Sequence, residues 1–541
     1  MLSLLASLAL MSGSAVDVDA PRLTVVISID QFRSDLVTRF ADLYLPPGSG
    51  QAVGGFRWLS EKGANFINSA YSHVPTETGP GHAVIGTGSD PGTNGIVSNS
   101  WFERETGKAV YCVSDPDSKD LLTGNESMSP RNLRVTTFGD ELKRATGGES
   151  KHVSISFKDR ASILMAGRLA DDVIWFDSQS GNWTSSDFYE KSGKVPEWAV
   201  SLNGRKIPDT YRGKSWTTSM PAEALKRASV ADKPGSPESF GKTFPHPLKD
   251  DASFYSNWQR TPWGSEYIFE TARTAIKQVG LGQDAVPDIL TINLSTNDYI
   301  GHWFGPDSPE VLELSVATDK MLSDFFRHLG KAVPGGLRNV LIIVTADHGV
   351  LPMPEELVKR GIPGGRVSEK DLFKKLDDAL QARFERKGLI VPGSDMNIYV
   401  DSKAKPQDAT MDEVASFIRD QLREIPEVYT AFTRWELEEQ KLPDTQASQM
   451  LARSFHRQNS GDVFFFLRPG YLLDYSGTGT GHGSPWAYDT SVPLLMAGRW
   501  IKPGIHLDRC GPKDIAATVS AVLGIVPPSG NVGRALAVIE R

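Results

Sequence analysis

The chain has 541 residues, of which 39% are hydrophobic and 23% are charged, a composition typical of globular proteins with a large core. Its formal net charge of −8 argues against a nucleic acid as a specific partner and against binding to an anionic membrane surface. An anionic substrate would have to be attracted by a local cationic site, because the overall charge repels it.

The N-terminus carries a short apolar segment. Residues 1–15 contain a leucine-rich run that ends in Ser-Gly-Ser-Ala, which is typical of a signal peptide cleaved after Ala15. No Lys or Arg precedes the run, which leaves a longer natural start or an uncleaved lipid-contacting end as alternatives. The run is far shorter than the roughly 20 apolar residues of a membrane-spanning helix, and no other stretch approaches that length. We expect a periplasmic or secreted protein without a membrane span.

The two cysteines, Cys112 and Cys510, lie far apart in the sequence and neither belongs to a CxxC pair. A cysteine metal site is therefore not indicated. An exported protein could join them in one disulfide or keep two buried free thiols, and the sequence leaves both alternatives open. It also leaves the oligomeric state open.

Alternating strand and helix patterns predict an α/β fold. The continuous β-branched run at 23–29 suits a central parallel strand that is buried on both faces. Asp30 follows this run at its carboxyl end, where ligand crevices of open α/β sheets lie. The first half continues with predicted helices at 54–62, 79–87 and 137–146 and predicted strands at 65–71, 108–113 and 152–156.

The alternating pattern weakens twice in the second half. Predicted strands at 285–294, 339–345 and 492–496 and predicted helices at 309–329 and 513–523 continue the core. Between them, Pro, Gly, Ser and Lys become frequent or the elements become mixed. We expect one catalytic domain over 21–541 with a central, largely parallel sheet flanked by helices, and inserted cap regions at about 181–258 and 351–470.

Aspartate and histidine residues, which commonly ligate metals, follow several of the predicted strands. Each alone could be a helix cap, a surface pair, a turn or part of a mobile loop, but carboxylates and imidazoles are also the ligands that zinc favours without cysteine. Three Asp and three His can supply two tetrahedral sites, and two such metals suit phosphoryl transfer. These residues are Asp30, Asp298, His302, Asp347, His348 and His482.

Thr78 precedes a predicted helix whose first turn contains Pro80. Free N–H groups and the positive end of the helix dipole would point at its hydroxyl. Alone, this pattern indicates a capping threonine. Beside a pair of metals, the same hydroxyl becomes a candidate nucleophile.

Taken together, the motifs resemble the alkaline phosphatase superfamily. More closely they resemble its bacterial alkaline phosphatases with a threonine nucleophile, which are related to type I phosphodiesterases and nucleotide pyrophosphatases. The resemblance extends from Asp30 to His482. The motifs are Pro-Thr-Glu-Thr-Gly-Pro-Gly-His at 75–82, Asn99, Ser-Phe-Lys-Asp-Arg at 156–160, Asp298-x-x-x-His302, Thr-Ala-Asp-His-Gly at 345–349 and Gly-His-Gly at 481–483.

The resemblance implies a role for each of these residues. Thr78 would be the nucleophile and would touch the second of two zinc ions, while His82 would be structural. The phosphoryl oxygens would be bound by Asn99, Lys158 and Arg160. Asp30, Asp347 and His348 would hold the second zinc, and Asp298, His302 and His482 would hold the first.

The residues around the metals bear on the class of substrate. A monoester dianion exposes three charged oxygens and favours cations such as Lys158 and Arg160, whereas a diester carries one charge. We therefore expect a phosphatase acting on small phosphate monoesters through a phosphothreonine intermediate. The alternatives are a nucleotide phosphodiesterase of the same superfamily and a non-catalytic metal- or phosphate-binding protein. A sulfatase is disfavoured, because Thr78 replaces the Cys or Ser of a Cys/Ser-x-Pro-x-Arg motif.

Overall fold

The computed structural model describes residues 19–48, 54–393 and 396–540, so the predicted signal peptide at 1–15 lies outside the described residues. Nine strands form the largest sheet of the described chain. In chain order they are β1 (Leu23–Ile29), β2 (Ala64–Phe66), β3 (His152–Ile155), β4 (Asp172–Asp177), β5 (Asn182–Thr184), β6 (Asp288–Leu294), β7 (Val340–Thr345), β8 (Leu495–Ala497) and β9 (Gly504–His506).

The spatial order of these strands is β9-β2-β8-β7-β1-β6-β3-β4-β5. The five strands from β7 to β4 in this order are all parallel to one another. Antiparallel pairing occurs where β8 meets β7 and β2, and where β5 meets β4, while β2 and β9 are parallel. The expectation of a central, largely parallel sheet is therefore confirmed.

Strand β1 lies in the middle of the sheet, and all seven of its residues are buried. Its side chains alternate between two apolar clusters, because successive residues of a strand point to opposite faces. Val25 and Ile27 belong to a cluster that includes Phe325, whereas Val26 belongs to a second cluster that includes Ile85. Burial on both faces explains why this strand appears in the sequence as an uninterrupted apolar run.

Helices cover both faces of the sheet. The α-helices are Asp35–Arg39, Phe56–Lys62, Thr78–Thr87, Pro91–Asn94, Phe138–Ala145, Asp159–Ala166, Glu197–Gly204, Ala222–Leu225, Phe254–Trp258, Pro262–Ala275, Thr296–Phe304, Pro309–Ala332, Pro354–Lys359, Glu369–Phe384, Met411–Arg423, Arg434–Glu438, Gln446–Ser454, Ala487–Thr490 and Lys513–Leu523. Short 3₁₀ or π segments occur at Pro208–Tyr211, Ile276–Gly280 and Gly336–Asn339.

The remaining strands form smaller sheets. Two-stranded sheets pair Ser100–Glu103 with Lys108–Tyr111, Ser114–Lys119 with Glu126–Met128, Ser215–Trp216 with His246–Pro247, and Gly365–Ser368 with Tyr471–Asp474. A four-stranded sheet contains, in spatial order, Ile390–Pro392, Asn397–Val400, Val463–Leu467 and Val428–Thr433. This sheet has its own apolar cluster with helices Glu369–Phe384 and Met411–Arg423.

The structure tests two of the sequence predictions, one on the strand at 65–71 and one on the cysteines. The predicted strand at 65–71 is shorter, because after Phe66 the chain makes only isolated bridges, through Ser69 and Ala70. Of the two alternatives for the cysteines, the structure has two buried free thiols. Among the described residues, no helix combines the length and apolarity needed to cross a bilayer. That the segments 181–258 and 351–470 are insertions stays a prediction.

Candidate active site

The carboxyl ends of β1, β6 and β7 lie side by side. Ile29 pairs with Leu294, and Ser28 pairs with Thr345, so the three strands end at one edge of the sheet. The segments that follow them carry Asp30, the helix Thr296–Phe304 and the Ala-Asp-His-Gly turn. Parallel pairing thus gathers residues that are hundreds of positions apart in the sequence.

The predicted metal ligands form one cluster. The ligand atoms of Asp30, Asp347 and His348 all lie within 4.8 Å of one another, and so do those of Asp298, His348 and His482. Asp298 Oδ1 also lies 3.2 Å from His302 Nε2 and 3.7 Å from His482 Nε2. The first group is the set that the resemblance implies for one metal, whereas the second contains His348 together with Asp298 and His482, and His302 lies next to Asp298.

The three histidines are oriented by backbone carbonyls. The Nδ1 atoms of His302, His348 and His482 lie 2.8 Å from Thr480 O, 2.9 Å from Gly349 O and 2.7 Å from Thr76 O. A carbonyl only accepts, so each Nδ1 donates its proton. In its neutral form, a ring held in this way keeps the Nε2 lone pair for the cluster, which is the tautomer that a metal ligand requires.

The cluster contains buried polar atoms without partners. Asp30 Oδ1, Asp347 Oδ2 and His348 Nε2 are buried and accept no hydrogen bond. Burial raises the pKa of Asp30 to about 7, with a further contribution from Asp347, and raises that of Asp347 to about 6. A buried carboxylate oxygen that accepts no hydrogen bond costs free energy unless a cation compensates it. The residues present therefore fit divalent metal ions, and oxygen and imidazole donors suit zinc.

Lys158 links this cluster to Thr78. Its Nζ lies 2.8 Å from Asp30 Oδ2, 2.6 Å from Asp298 Oδ2 and 3.3 Å from Thr78 Oγ1. Burial alone would lower the pKa of Lys158, but Asp298 and Asp30 raise it above its usual range. The ammonium is therefore charged, and it lies between the carboxylates and the candidate nucleophile.

Thr78 is the first residue of its helix, and the preceding Glu77 is the N-cap. The Thr78 hydroxyl lies 3.4 Å from Arg160 Nη2, so it faces the two cations instead of capping the helix. Asn99 Oδ1 accepts the Gly79 N–H at 2.8 Å. This contact leaves the amide N–H groups of Asn99 for a ligand. The predicted phosphate-binding residues thus lie around the Thr78 end of the helix.

Gln31 is a neighbour that sequence reasoning missed. Its backbone N–H donates to Asp347 Oδ1 at 3.0 Å, and its Nε2 donates to Asp298 Oδ1 at 2.8 Å. Gln31 has φ of 63°, a left-handed conformation that is unfavourable for a residue with a side chain. Gln31 therefore orients carboxylates from two other segments of the chain. The only sequence signal for this residue was its place after Asp30.

Tyr111 and His82 also contact the site. Tyr111 Oη accepts from Arg160 Nη1 at 3.2 Å and donates to Asp159 Oδ1 at 2.5 Å. His82 Nδ1 lies 2.8 Å from Thr78 O, and burial lowers the pKa of His82 to about 4, so the ring is neutral. The spacing of one helical turn was the signal for His82, whereas nothing in the sequence singled out Tyr111.

A cavity of about 290 Å³ opens at one side of the candidate site, next to Asn99 and His302. Glu77, Asn99, His302 and His482 line one part of it, and residues 472–481 supply the rest. The site therefore has room for a group larger than a phosphate.

The profile of the type I phosphodiesterase / nucleotide pyrophosphatase family matches residues 24–489. The chain belongs to this family, and the alkaline phosphatase superfamily that its motifs predicted is thereby confirmed.

Several relatives are similar over nearly their full lengths. The chain is 34% identical to alkaline phosphatase PafA of Elizabethkingia meningoseptica over 528 residues, covering 96% of this chain and 94% of that protein. It is also 34% identical to alkaline phosphatase PhoV of Synechococcus elongatus over 522 residues, covering 95% and 92%. The crystal structure of wild-type PafA matches with a TM-score of 0.87 and 33% identity, covering 96% of this chain and 99% of that one.

Proposed function

We propose that this protein hydrolyses phosphate monoesters, with Thr78 as the nucleophile. The observation that carries the proposal is the position of the Thr78 hydroxyl, which lies within 3.4 Å of both Lys158 and Arg160 at a helix N-terminus. Cations and free helix N–H groups are the donors that stabilise a transferring phosphoryl group. The relatives named alkaline phosphatases support the same substrate class.

In the proposed reaction, Thr78 Oγ attacks phosphorus, and the bond from phosphorus to the alcohol oxygen breaks on the opposite side. Lys158, Arg160 and the amide of Asn99 bind the non-bridging oxygens, whose charge they balance in the transition state. Water then cleaves the phosphothreonine, which releases inorganic phosphate and restores the Thr78 hydroxyl.

Two zinc ions would be held by the carboxylate and histidine cluster. Asp30, Asp347 and His348 would form one site, and Asp298, His302 and His482 the other. When bound, the ions would make the threonine alkoxide and hydroxide accessible near neutral pH and would stabilise the leaving oxygen. The fit rests on the unpartnered atoms of the cluster and on the three donating Nδ1 groups.

The second candidate is phosphodiester hydrolysis, which the name of the matching family favours. Two cations beside Thr78 suit a dianionic monoester better than a monoanionic diester. The structure offers this charge through Lys158, which is buried, and Arg160, which is half-buried. We therefore rank monoesters first.

Metal analysis of the purified protein, together with initial rates on matched mono- and diesters, tests the proposal. The metal-loaded protein should contain about two zinc ions per chain and should favour p-nitrophenyl phosphate over bis-p-nitrophenyl phosphate in kcat/KM. Replacing both Lys158 and Arg160 by Ala should reduce monoester kcat/KM far more than diester kcat/KM. Equal losses on the two esters would refute the assignment to monoesters.

A further inference from the structure

Arg260 is a half-buried cation near the candidate active site. Its Nη1 donates to the backbone oxygen and, at 2.7 Å, to the hydroxyl of Ser256, while its Nε is buried without a partner. No carboxylate among the described residues forms an ion pair with Arg260. Burial lowers its pKa, although Tyr299 and Asp298 act in the opposite direction. A guanidinium without a counterion is costly unless it has an anion to bind.

Two aromatic rings support this guanidinium. Arg260 Cζ lies 4.4 Å from the ring centroid of Trp303 and 5.0 Å from that of Tyr299. On the Tyr299 ring there is a second cation, because Lys158 Nζ lies 5.3 Å from the same centroid. The distance between Arg260 Cζ and Lys158 Nζ therefore cannot exceed the sum of their distances to the Tyr299 ring centroid, which are 5.0 Å and 5.3 Å.

Two contacts hold Arg260 in place relative to helix Thr296–Phe304, which carries two predicted metal ligands. The Thr296 hydroxyl donates to Gln259 O at 2.8 Å, which joins the start of helix Thr296–Phe304 to the residue before Arg260. Stacking on Trp303 adds a second connection to the same helix. Arg260 therefore keeps a defined place relative to the reaction centre.

The direction of the reaction leads the alcohol toward this helix. In an in-line displacement the alcohol leaves on the side of phosphorus opposite to the nucleophile. The helix Thr296–Phe304 carries Asp298 and His302, which would hold one of the two metal ions, and an ion held there would stabilise the leaving oxygen. Tyr299 lies near the reaction centre, because Lys158 Nζ is 3.3 Å from Thr78 Oγ1 and 5.3 Å from the Tyr299 ring centroid. The alcohol part of the ester would therefore pass close to the Arg260 platform, formed by Arg260, Tyr299 and Trp303.

Provided that the proposed phosphatase function holds, we propose that the Arg260 platform binds a second anionic group, such as a carboxylate, on the alcohol part of the ester. The N–H groups of Nη2 are not used by Ser256 and can donate to this anion. The Tyr299 hydroxyl is a further donor on the same platform. The protein would thus select phosphate esters whose alcohols are themselves anionic.

The test compares two esters that differ by one charge, phenyl phosphate and 4-carboxyphenyl phosphate. The measured quantity is the ratio of kcat/KM for the carboxylated ester to kcat/KM for phenyl phosphate. Taking this ratio for each variant cancels differences in leaving-group chemistry and in overall activity. Arg260→Gln should lower the ratio about tenfold, as expected for one lost charge-assisted hydrogen bond. Arg260→Lys should lower it less, because the charge remains.

Two further measurements keep the test decisive. In the wild-type protein, added NaCl should lower the same ratio, because salt screens a partly exposed ion pair. Arg205→Gln is the matched control, since Arg205 pairs with Glu270 on the surface, and its ratio should equal that of the wild type.

The outcomes separate the inference from the function on which it rests. A ratio unchanged in Arg260→Gln, including the case in which both rates fall in parallel, would overturn the anion subsite while leaving the phosphatase proposal intact. A wild-type ratio independent of salt would overturn it without any variant. Failure of the metal-loaded wild type to hydrolyse either ester would instead overturn the proposed function.

Discussion

Tyr111 offers a sharp test of how the candidate phosphate-binding residues are positioned. Its hydroxyl accepts from Arg160 Nη1 at 3.2 Å and donates to Asp159 at 2.5 Å, while Arg160 Nη2 lies 3.4 Å from Thr78 Oγ1. Tyr111 is half-buried and does not itself contact Thr78. We therefore expect it to act through Arg160, as a positioning residue.

Replacing Tyr111 by Phe removes only the hydroxyl. A hydrogen bond to a charged group contributes about 1.5–3 kcal/mol, and the length and partial exposure of this one favour the lower end. A loss of about 1.5 kcal/mol corresponds to about a tenfold decrease in monoester kcat/KM. Asp159 still accepts the backbone N–H of Arg160 at 2.5 Å, so the local backbone should be retained.

Initial rates on p-nitrophenyl phosphate, with zinc content and Tm measured on the same samples, provide the assay. Tyr189→Phe is the matched control, because its buried hydroxyl donates to Gly167 O at 2.8 Å on a different part of the chain. This control should lose stability but keep kcat/KM.

A double-mutant cycle decides whether the effect passes through Arg160. In an Arg160→Ala background, Tyr111→Phe should have almost no further effect on monoester kcat/KM. A full tenfold loss in that background would refute the positioning argument, and so would an unchanged kcat/KM in the single variant.

Three other predictions concern the candidate site and the half-buried carboxylate pair of Glu190 and Asp172. Thr78→Ala should reduce monoester kcat by at least about a thousandfold and remove the acid-stable phosphate detectable by mass spectrometry on the wild type; unchanged turnover would exclude the covalent route. Dialysis against a chelator should abolish hydrolysis and lower Tm, and zinc should restore both; full activity after complete metal removal would contradict the metal assignment. Burial and the neighbouring Asp172 raise the pKa of Glu190 from about 4.5 to about 8. The proton on Glu190 therefore stabilises the folded state fully below about pH 4.5, and this stabilisation is lost as pH rises through about 8. Because Glu190 is partly exposed, we expect only about 1–2 kcal/mol. Glu190→Gln should flatten the Tm profile between about pH 4.5 and 8, and parallel profiles over that range would contradict the prediction.

Regular elements were predictable where the local pattern is unambiguous. The strand at 23–29 and the helix at 513–523 have the predicted bounds, since one is a continuous apolar run and the other has a clear helical period. The strand predicted at 65–71 ends early, because Ile67 is 52% exposed and the segment pairs only irregularly with residues 506–510. An irregularly paired segment of this kind is defined by its neighbours and not by its own residues.

The candidate site was predictable in composition but not in its supporting contacts. Polar residues after buried strands, at 30, 298 and 347, must meet at one edge if the strands are parallel, so their convergence follows from the sequence. Gln31 and Tyr111 had no such signal. Gln31 matters through its φ of 63° and its two carboxylate contacts, and neither depends on a repeating pattern.

The sequence by itself therefore predicted a central, largely parallel sheet, polar residues at the carboxyl ends of its strands and a helix at 79–87 with Thr78 before it. Local periodicity and strand chemistry are sufficient for these features. Only the tertiary structure decided that Lys158 lies between Asp30 and Asp298 and that Arg260 stacks on Tyr299 and Trp303. Lys158 and Asp298 are 140 positions apart, and the distance between their charged atoms depends on how separately encoded segments pack together.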